Sequence, residues 1–183
     1  MTAYEKAREE ERKEVVLAGI GGQGLVYIGR MLGEAAVKSG YHAVQTQSYG
    51  VASRGGFTKS EVVFSDKPPA YPMAVNPQII LALSEEAYNR YVDQLDVGDT
   101  MVYDSDQVDS GGSDQKVCGF PLTTIARELE IMDSYNLLAL GVFISSTGLL
   151  PEDSIVQILQ DGADTTRGKQ NLRAFQEGVS LVE

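Results

Sequence analysis

A short apolar run that leads directly into a glycine-rich turn is the feature that most limits how this chain can fold. The sequence VVLAGIGGQG spaces Gly19, Gly21 and Gly24 as Gly-x-Gly-x-x-Gly. An apolar run of this length is typical of a buried strand. After Gly24, apolar residues recur at helical spacing until Gly40, which is placed to end the helix. Residues 15–39 therefore predict a strand, a tight turn and a helix, which is a Rossmann-like start.

The rest of the chain alternates strand and helix signals. Further strands are predicted at residues 42–49, 57–64, 78–83, 100–103 and 115–120. Further helices are predicted at residues 84–95, 123–131, 136–146, 152–159 and 169–179. The segment between the first two of these strands is too short for a helical crossover, so we expect them to pair antiparallel. We therefore expect an α/β fold: a single three-layer domain with a mixed β-sheet over residues 14–183, preceded by a charged N-terminal arm over residues 1–13.

Composition excludes several classes of protein. A chain of 183 residues is long enough to bury a core without disulfides, and its one cysteine, Cys118, indicates a reducing cytoplasm. The first fourteen residues mix charges and do not resemble a signal peptide. The longest apolar stretch, near residues 136–150, is interrupted by Gly and Ser and is shorter than the ~20 residues that span a bilayer. A net charge of −11 argues against nucleic acid as a partner.

The acidic residues are unevenly distributed. Between residues 15 and 60 the only acid is Glu34, and the same stretch contains four basic residues: Arg30, Lys38, Arg54 and Lys59. This gap in acids coincides with the glycine-rich turn. An anion-facing surface is one interpretation, and a chance gap is the other.

The glycine spacing does not meet the requirements of a dinucleotide site. An NAD-binding fold needs an Asp or Glu about 20 residues after the glycines to bind the ribose hydroxyls. Here that region reads YHAVQTQSYG, and the next acid after Glu34 is Glu61. The alternative is a tight turn whose glycines allow close packing. The N-terminus of the following helix, with free backbone N–H groups, remains a candidate seat for an anion.

Few residues are candidates for catalysis or metal binding. His42 falls within a predicted strand and is interpreted as a packed or surface residue. One cysteine cannot hold an iron–sulfur cluster or a cysteine-type zinc site. Asp104 and Asp106 follow a strand, as metal-binding acids often do, but we interpret them as solvated turn residues. No catalytic or metal-binding residue is predicted, and the chain does not look like a complete enzyme.

Four segments together resemble a known family. They are GIGGQG, QTQSYGVASRGG, SEVVFSD, and the pair NLLALG and KQNLRAFQEG. In this order they resemble the gamma subunit of the 2-oxoacid:ferredoxin oxidoreductases, which is also a domain of the single-chain pyruvate enzymes. The resemblance runs from about residue 14 to residue 179. QTQSYG is most similar to the 2-oxoglutarate branch.

The resemblance implies a role within a complex. In such enzymes thiamine diphosphate, Mg²⁺ and the [4Fe-4S] clusters lie on other subunits, so this chain alone is expected to bind no cofactor and to be inactive. The implied partners are the alpha and beta subunits and a ferredoxin-like delta subunit. The complex would decarboxylate a 2-oxoacid, form a coenzyme A thioester such as succinyl-CoA, and reduce ferredoxin. A free-standing NADP-binding reductase and a structural adaptor without a ligand remain the alternatives.

The resemblance and the acid-poor stretch together suggest one candidate surface for coenzyme A or a subunit junction. Arg54 is the only charge in SYGVASRGG, whose glycines permit close approach of a partner. A guanidinium among small residues suits a carboxylate or a phosphate. The alternative is a surface turn with a solvated or internally paired arginine. The candidate surface comprises Gly21, Gly22, Gln23, Gly24, Ser48, Tyr49, Arg54, Gly55 and Gly56.

Overall fold

The computed structural model describes residues 12–49, 56–109 and 117–182. The strands in these residues are β1 (Lys13–Ile20), β2 (His42–Tyr49), β3 (Phe57–Ser65), β4 (Ile79–Ala82), β5 (Thr100–Asp104) and β6 (Val117–Phe120). The α-helices are α1 (Leu25–Lys38), α2 (Glu85–Tyr91), α3 (Leu122–Glu128), α4 (Tyr135–Thr147), α5 (Glu152–Gln160) and α6 (Thr166–Ser180). Short 3₁₀ turns extend α2 over Val92–Gln94 and precede α4 over Met132–Ser134.

The six strands form one mixed sheet in the order β2-β3-β1-β4-β5-β6. β3 pairs antiparallel with both β2 and β1, whereas β1, β4, β5 and β6 run parallel. The prediction of a mixed sheet with an antiparallel second and third strand is therefore confirmed. β3 lies between β1 and β2. Because β1 pairs with β3 on one side and with β4 on the other, the first strand of the chain is an inner strand.

Side chains of β1 alternate between two cores on opposite faces of the sheet. Val15 and Leu17 belong to the larger core, to which α1, α3, α4, α5 and α6 contribute. Val16 and Ala18 belong to a smaller core that includes Ala87 of α2. The expected three layers are present, but they are unequal, because one face carries five of the described helices and the other carries only α2.

The central helix of the larger core is α4. Its sequence, YNLLALGVFISST, is apolar around most of its circumference, as expected for a helix buried on all sides. α4 crosses α6 at two glycines that face each other, Gly141 and Gly178. A Cβ on Gly141 would clash with the backbone carbonyl of Phe175, and a Cβ on Gly178 would clash with that of Leu138. The two helices therefore touch backbone to backbone.

Several predicted boundaries differ from the structure. α3 ends at Glu128 rather than at residue 131, and α6 begins at Thr166 rather than at residue 169. The helix capped by Ser84, whose Oγ accepts a hydrogen bond from the Ala87 N–H at 3.2 Å, ends at Tyr91 and continues only as a 3₁₀ turn. The predicted arm extended to residue 13, yet Lys13 begins β1, and the Arg12 guanidinium donates to the carbonyls of Tyr71 and Met73 at 2.9 Å each. Residues 1–11, 115 and 116 lie outside the described residues.

No helix in the described part of the chain has both the length and the apolar character needed to cross a membrane.

The helix crossing yields a stability prediction. Gly141→Ala should lower the free energy of unfolding by about 1–3 kcal/mol, because the backbone of α6 must move to admit the methyl group. Gly33→Ala is the matched control, since a Cβ at this mid-helix position of α1 meets only Val62 at 4.0 Å. The control should stabilise the chain by about 0.5–1 kcal/mol. Urea unfolding of both variants measures the difference. Equal effects would show that α4 and α6 are not in backbone contact.

Candidate functional site

The glycine-rich turn joins β1 to α1 at the carboxyl edge of the parallel strands. Gly22 and Gly24 have φ angles of 99° and 73°, which side chains rarely adopt. Gly24 is the N-cap residue of α1 and supplies no side-chain cap. A Cβ on Gly24 would also clash with the side-chain amide of Asn136, which lies at the start of α4. Backbone conformation and packing thus both require glycine at position 24.

Gln23 closes the crevice in which α/β folds usually bind a ligand. α1 follows β1 onto one face of the sheet and α2 follows β4 onto the other, and ligands characteristically bind between two such strands. Here the Ile20 N–H donates to Gln23 Oε1 at 2.8 Å, and Gln23 Nε2 donates to the Leu83 carbonyl at 2.9 Å. The side chain bridges the ends of β1 and β4. This arrangement supports the packing interpretation of the turn over a dinucleotide site.

The candidate surface is assembled from the two segments that the sequence singled out. The Gly21 N–H donates to the Gly56 carbonyl at 3.0 Å, so the turn touches the end of the segment that joins β2 to β3. Tyr49 pairs with Thr58, and Thr58 also lies opposite Gly19. The described members, Gly21, Gly22, Gln23, Gly24, Ser48, Tyr49 and Gly56, therefore lie at one edge of the sheet. Arg54 and Gly55 lie outside the described residues.

Two of the basic residues in the acid-poor stretch are paired with acids. Arg30 lies 3.4 Å from Glu34 on α1, and Lys59 Nζ lies 2.5 Å from Glu61 Oε1. Glu61 is only 3% exposed and also accepts a hydrogen bond from Thr46 Oγ1 at 2.9 Å. These contacts reduce the positive charge that was inferred for an anion-facing surface. Sequence position alone did not indicate that Glu61, sixteen residues after Gln45, would be buried beside Lys59.

The interpretation of Asp104 as a solvated turn residue is wrong. Asp104 is fully buried at the end of β5. Its Oδ1 accepts hydrogen bonds from the backbone N–H groups of Asp106 and Leu122 at 3.0 Å each. Its Oδ2 accepts from Thr123 Oγ1 at 2.6 Å and from the Tyr135 hydroxyl at 2.7 Å. The carboxylate anchors the start of α3 and the start of α4 to the sheet, which is a structural role.

Asp106 is exposed, as predicted for a turn, and accepts a hydrogen bond from the Thr124 N–H at 2.6 Å. His42 is also exposed, at the first residue of β2. The part of the chain that the structure describes contains no group of three His, Cys, Asp or Glu side chains able to hold a metal ion.

Burial changes the ionisation of Tyr135. Desolvation, together with the nearby charge of Asp104 and the hydrogen bond to it, raises the pKa of the Tyr135 phenol well above its usual value of 10. Burial also raises the pKa of Tyr91, an effect that the positive charge of Lys59 partly opposes. For Tyr135, the folded chain holds the proton in a pH range in which the unfolded chain releases it.

This difference predicts a pH dependence of stability. Because the folded pKa of Tyr135 is raised, its contribution is complete below about pH 10 and is lost as the pH rises further, by up to about 1.4 kcal/mol per pH unit. Tyr135→Phe should lose stability less steeply than the wild type between about pH 10 and about pH 11, where the unfolded phenol ionises. Tyr27→Phe, which removes an exposed phenol, is the control for the loss of a tyrosine hydroxyl. Urea unfolding across this range makes the comparison, and parallel curves for all three proteins would contradict it.

A shallow groove lies apart from the candidate surface. It encloses about 470 Å³ between α1 and β2 and is lined by Arg30, Gly33, Glu34, Val37, Lys38, Ala43 and Gln45. None of the residues predicted for coenzyme A or a subunit junction lines it.

Comparisons with known proteins identify the family. Residues 14–181 match the family model described as pyruvate ferredoxin/flavodoxin oxidoreductase. The 2-oxoglutarate synthase subunit KorC of Methanocaldococcus jannaschii is 36% identical, over 97% of this chain and 98% of its own. The pyruvate synthase subunit PorC of Methanothermobacter thermautotrophicus is 29% identical, over 93% of this chain and 96% of its own.

A solved structure agrees in both fold and sequence. The gamma subunit of a keto/oxoacid ferredoxin oxidoreductase from Geobacter sulfurreducens superimposes with a TM-score of 0.78 at 32% identity, covering 91% of this chain and 94% of that one. The resemblance inferred from the four sequence segments is therefore confirmed. The chain belongs to the pyruvate ferredoxin/flavodoxin oxidoreductase family.

Proposed function

We propose that this chain is the gamma subunit of a 2-oxoglutarate:ferredoxin oxidoreductase. The complex would convert 2-oxoglutarate and coenzyme A to succinyl-CoA and CO₂ and pass the electrons to ferredoxin. The observation that carries the proposal is full-length similarity, at 36% identity, to a subunit named for 2-oxoglutarate synthase. The pyruvate synthase subunit is similar over a comparable length but at only 29% identity, which favours the 2-oxoglutarate branch.

The residues of the chain support a division of labour among subunits. Iron–sulfur clusters are held by several cysteine thiolates, and this sequence has one cysteine. We therefore assign the [4Fe-4S] clusters, thiamine diphosphate and Mg²⁺ to alpha, beta and ferredoxin-like delta subunits in a reducing cytoplasm. When bound there, thiamine diphosphate supplies the decarboxylation chemistry. The gamma chain contributes a preformed surface.

We assign that surface to the candidate residues at the edge of the sheet. The hydrogen bond from Gly21 to Gly56 holds the glycine-rich turn against the end of the segment that contains Arg54 and Gly55. The Gln23 side chain donates to the Leu83 carbonyl, and the Asn136 side chain donates to the Gly24 carbonyl. These two hydrogen bonds hold the turn in place. A rigid base suits a loop that must meet coenzyme A or a partner carboxylate in one geometry. The proposed role of Arg54 is to supply the charge for that contact.

Reconstitution tests the proposed function. The chain should be combined with its alpha, beta and delta partners, and viologen reduction should be measured with 2-oxoglutarate, pyruvate or 3-methyl-2-oxobutanoate, with and without coenzyme A. We expect activity that depends on coenzyme A, is highest with 2-oxoglutarate, and is absent from the isolated chain. Full activity of the complex without this chain would overturn the proposal. Retention of NADP by the isolated chain would instead favour the free-standing reductase.

Arg54→Ala tests the proposed surface in the same complex. A charge-assisted hydrogen bond contributes about 1.5–3 kcal/mol, so the variant should raise the Michaelis constant for coenzyme A, or weaken subunit assembly, by about 10- to 150-fold. Arg127→Ala, at an exposed position on α3, is the control and should change neither quantity. Melting temperatures of both isolated variants should match the wild type. Unchanged kinetics and assembly for Arg54→Ala would assign residues 48–56 to a simple surface turn.

A further inference from the structure

β2 is an edge strand without the usual protection against pairing. In the described residues it pairs only with β3, in a register that runs without interruption from His42 to Tyr49. Its sequence, HAVQTQSY, contains no Asp, Glu, Lys, Arg or Pro. Natural edge strands are commonly blocked by charged residues, proline or bulges. Among the described residues, nothing therefore blocks the long row of backbone donors and acceptors along the outer edge of β2.

A groove and an exposed helical stripe run beside this edge. α1 packs across both β2 and β3, and the groove of about 470 Å³ lies between α1 and the outer side of β2. The stripe of α1 that borders it is exposed and of mixed character. Val37 is 57% exposed and Tyr27 is 40% exposed, and the side chains of Arg30 and Glu34 are 64% and 47% exposed. Gly33 also lines this groove.

We propose that this edge binds a second copy of the chain, with β2 pairing antiparallel to β2 of the second copy about a two-fold axis perpendicular to the sheet. The two sheets then become one continuous sheet of twelve strands. The two α1 helices lie side by side and antiparallel on the same face. The groove of each copy receives the exposed stripe of the other.

The charge pattern of α1 is complementary to itself under this symmetry. Arg30 and Glu34 are equally distant along the helix from residue 32, and so are Tyr27 and Val37. An axis level with residue 32 therefore places Arg30 opposite Glu34 of the second copy, twice. It also places the exposed ring of Tyr27 opposite the exposed Val37 of the second copy. Opposite charges and apolar groups meet in the same register.

The helix and the strand give nearly the same position for the axis. Gly29 of α1 lies against Ser60 and Gly33 lies against Val62. In the sheet, Ser60 is paired with Gln47 and Val62 with Gln45. Residue 31 of the helix is thus level with Thr46, near the centre of β2. A two-fold axis level with Thr46 lies about 1.5 Å along the helix from the axis level with residue 32, so strand pairing and helix contact agree to within about one helical residue.

The lateral distance between the two α1 helices also fits this arrangement. Neighbouring strands lie about 4.8 Å apart, so the axis passes about 2.4 Å outside β2. α1 packs mainly against β2 and β3, so we place its own axis about the same distance inside β2. The two α1 helices are then about 10 Å apart, which is the usual distance between packed helices. Strand pairing therefore brings the two α1 helices to a distance at which helices pack.

Charge reversal and its rescue test the second copy. Sedimentation equilibrium of the full chain should show a reversible dimer. Glu34→Arg should raise its dissociation constant about tenfold or more, because two attractive pairs become repulsive. The double variant Arg30→Glu/Glu34→Arg should restore it to within about threefold of the wild type, because the pairs attract again. Circular dichroism should show the same folded monomer throughout, since both side chains are exposed.

A matched pair on another helix provides the control. Arg173 and Glu177 of α6 have the same order and spacing, with 57% and 40% side-chain exposure. Glu177→Arg changes the net charge equally and should leave the dissociation constant unchanged.

A monomeric wild type at every concentration, or equal effects of Glu34→Arg and Glu177→Arg, would overturn the proposal. If the isolated chain is monomeric and Glu34→Arg weakens binding to the alpha or beta subunit, the edge belongs to that subunit instead. These measurements require no enzyme activity, so their outcome is independent of the reaction assigned to the complex.

Discussion

The backbone contact between α4 and α6 sets the position of most other parts of the molecule. Because Gly141 and Gly178 have no side chains, α4 can lie deep against its neighbour while its apolar surface fills the larger core. The depth of α4 then determines where its first two residues reach. The Tyr135 hydroxyl donates to Asp104 at the end of β5, and Asn136 contacts the Gly24 carbonyl in the glycine-rich turn. One helix crossing therefore positions both the sheet edge and the candidate surface.

Local sequence patterns were sufficient to predict the elements and part of the topology. The strand, turn and helix around Gly19 to Gly24 follow from spacing, and the antiparallel pairing of β2 with β3 follows from the short connection between them. The gathering of two glycine-rich segments at one edge was also indicated by sequence, and the bond from Gly21 to Gly56 supports it. These features depend on residues that are close along the chain or on the direction of consecutive strands.

Features that depend on distant partners could not be predicted in this way. Asp104 follows a strand as a turn residue would, but its burial is determined by Thr123 and Tyr135, nineteen and thirty-one residues later. Gln23 reads as an ordinary loop residue until its partner, the Leu83 carbonyl, is known. Gln23 bridges the crevice in which a dinucleotide would bind, and the carboxylate of Asp104 is occupied by hydrogen bonds within the chain. A family resemblance carried by several segments was therefore more informative about function than any single motif.

The placement of β3 between β1 and β2 has a consequence for how the chain reaches this structure. β2 and β3 are joined by few residues, so their pairing closes a short loop, whereas β1 and β4 are parallel and almost sixty residues separate them. Short-range pairing costs less chain entropy, and long-range pairing slows folding. The β2–β3 hairpin is thus the natural first template, with β1 added to its inner edge and the parallel strands added afterwards. During that interval both edges of the hairpin are unpaired. During synthesis β1 emerges first but has no partner until β3 has formed, and this order of assembly determines how long the edges stay unpaired.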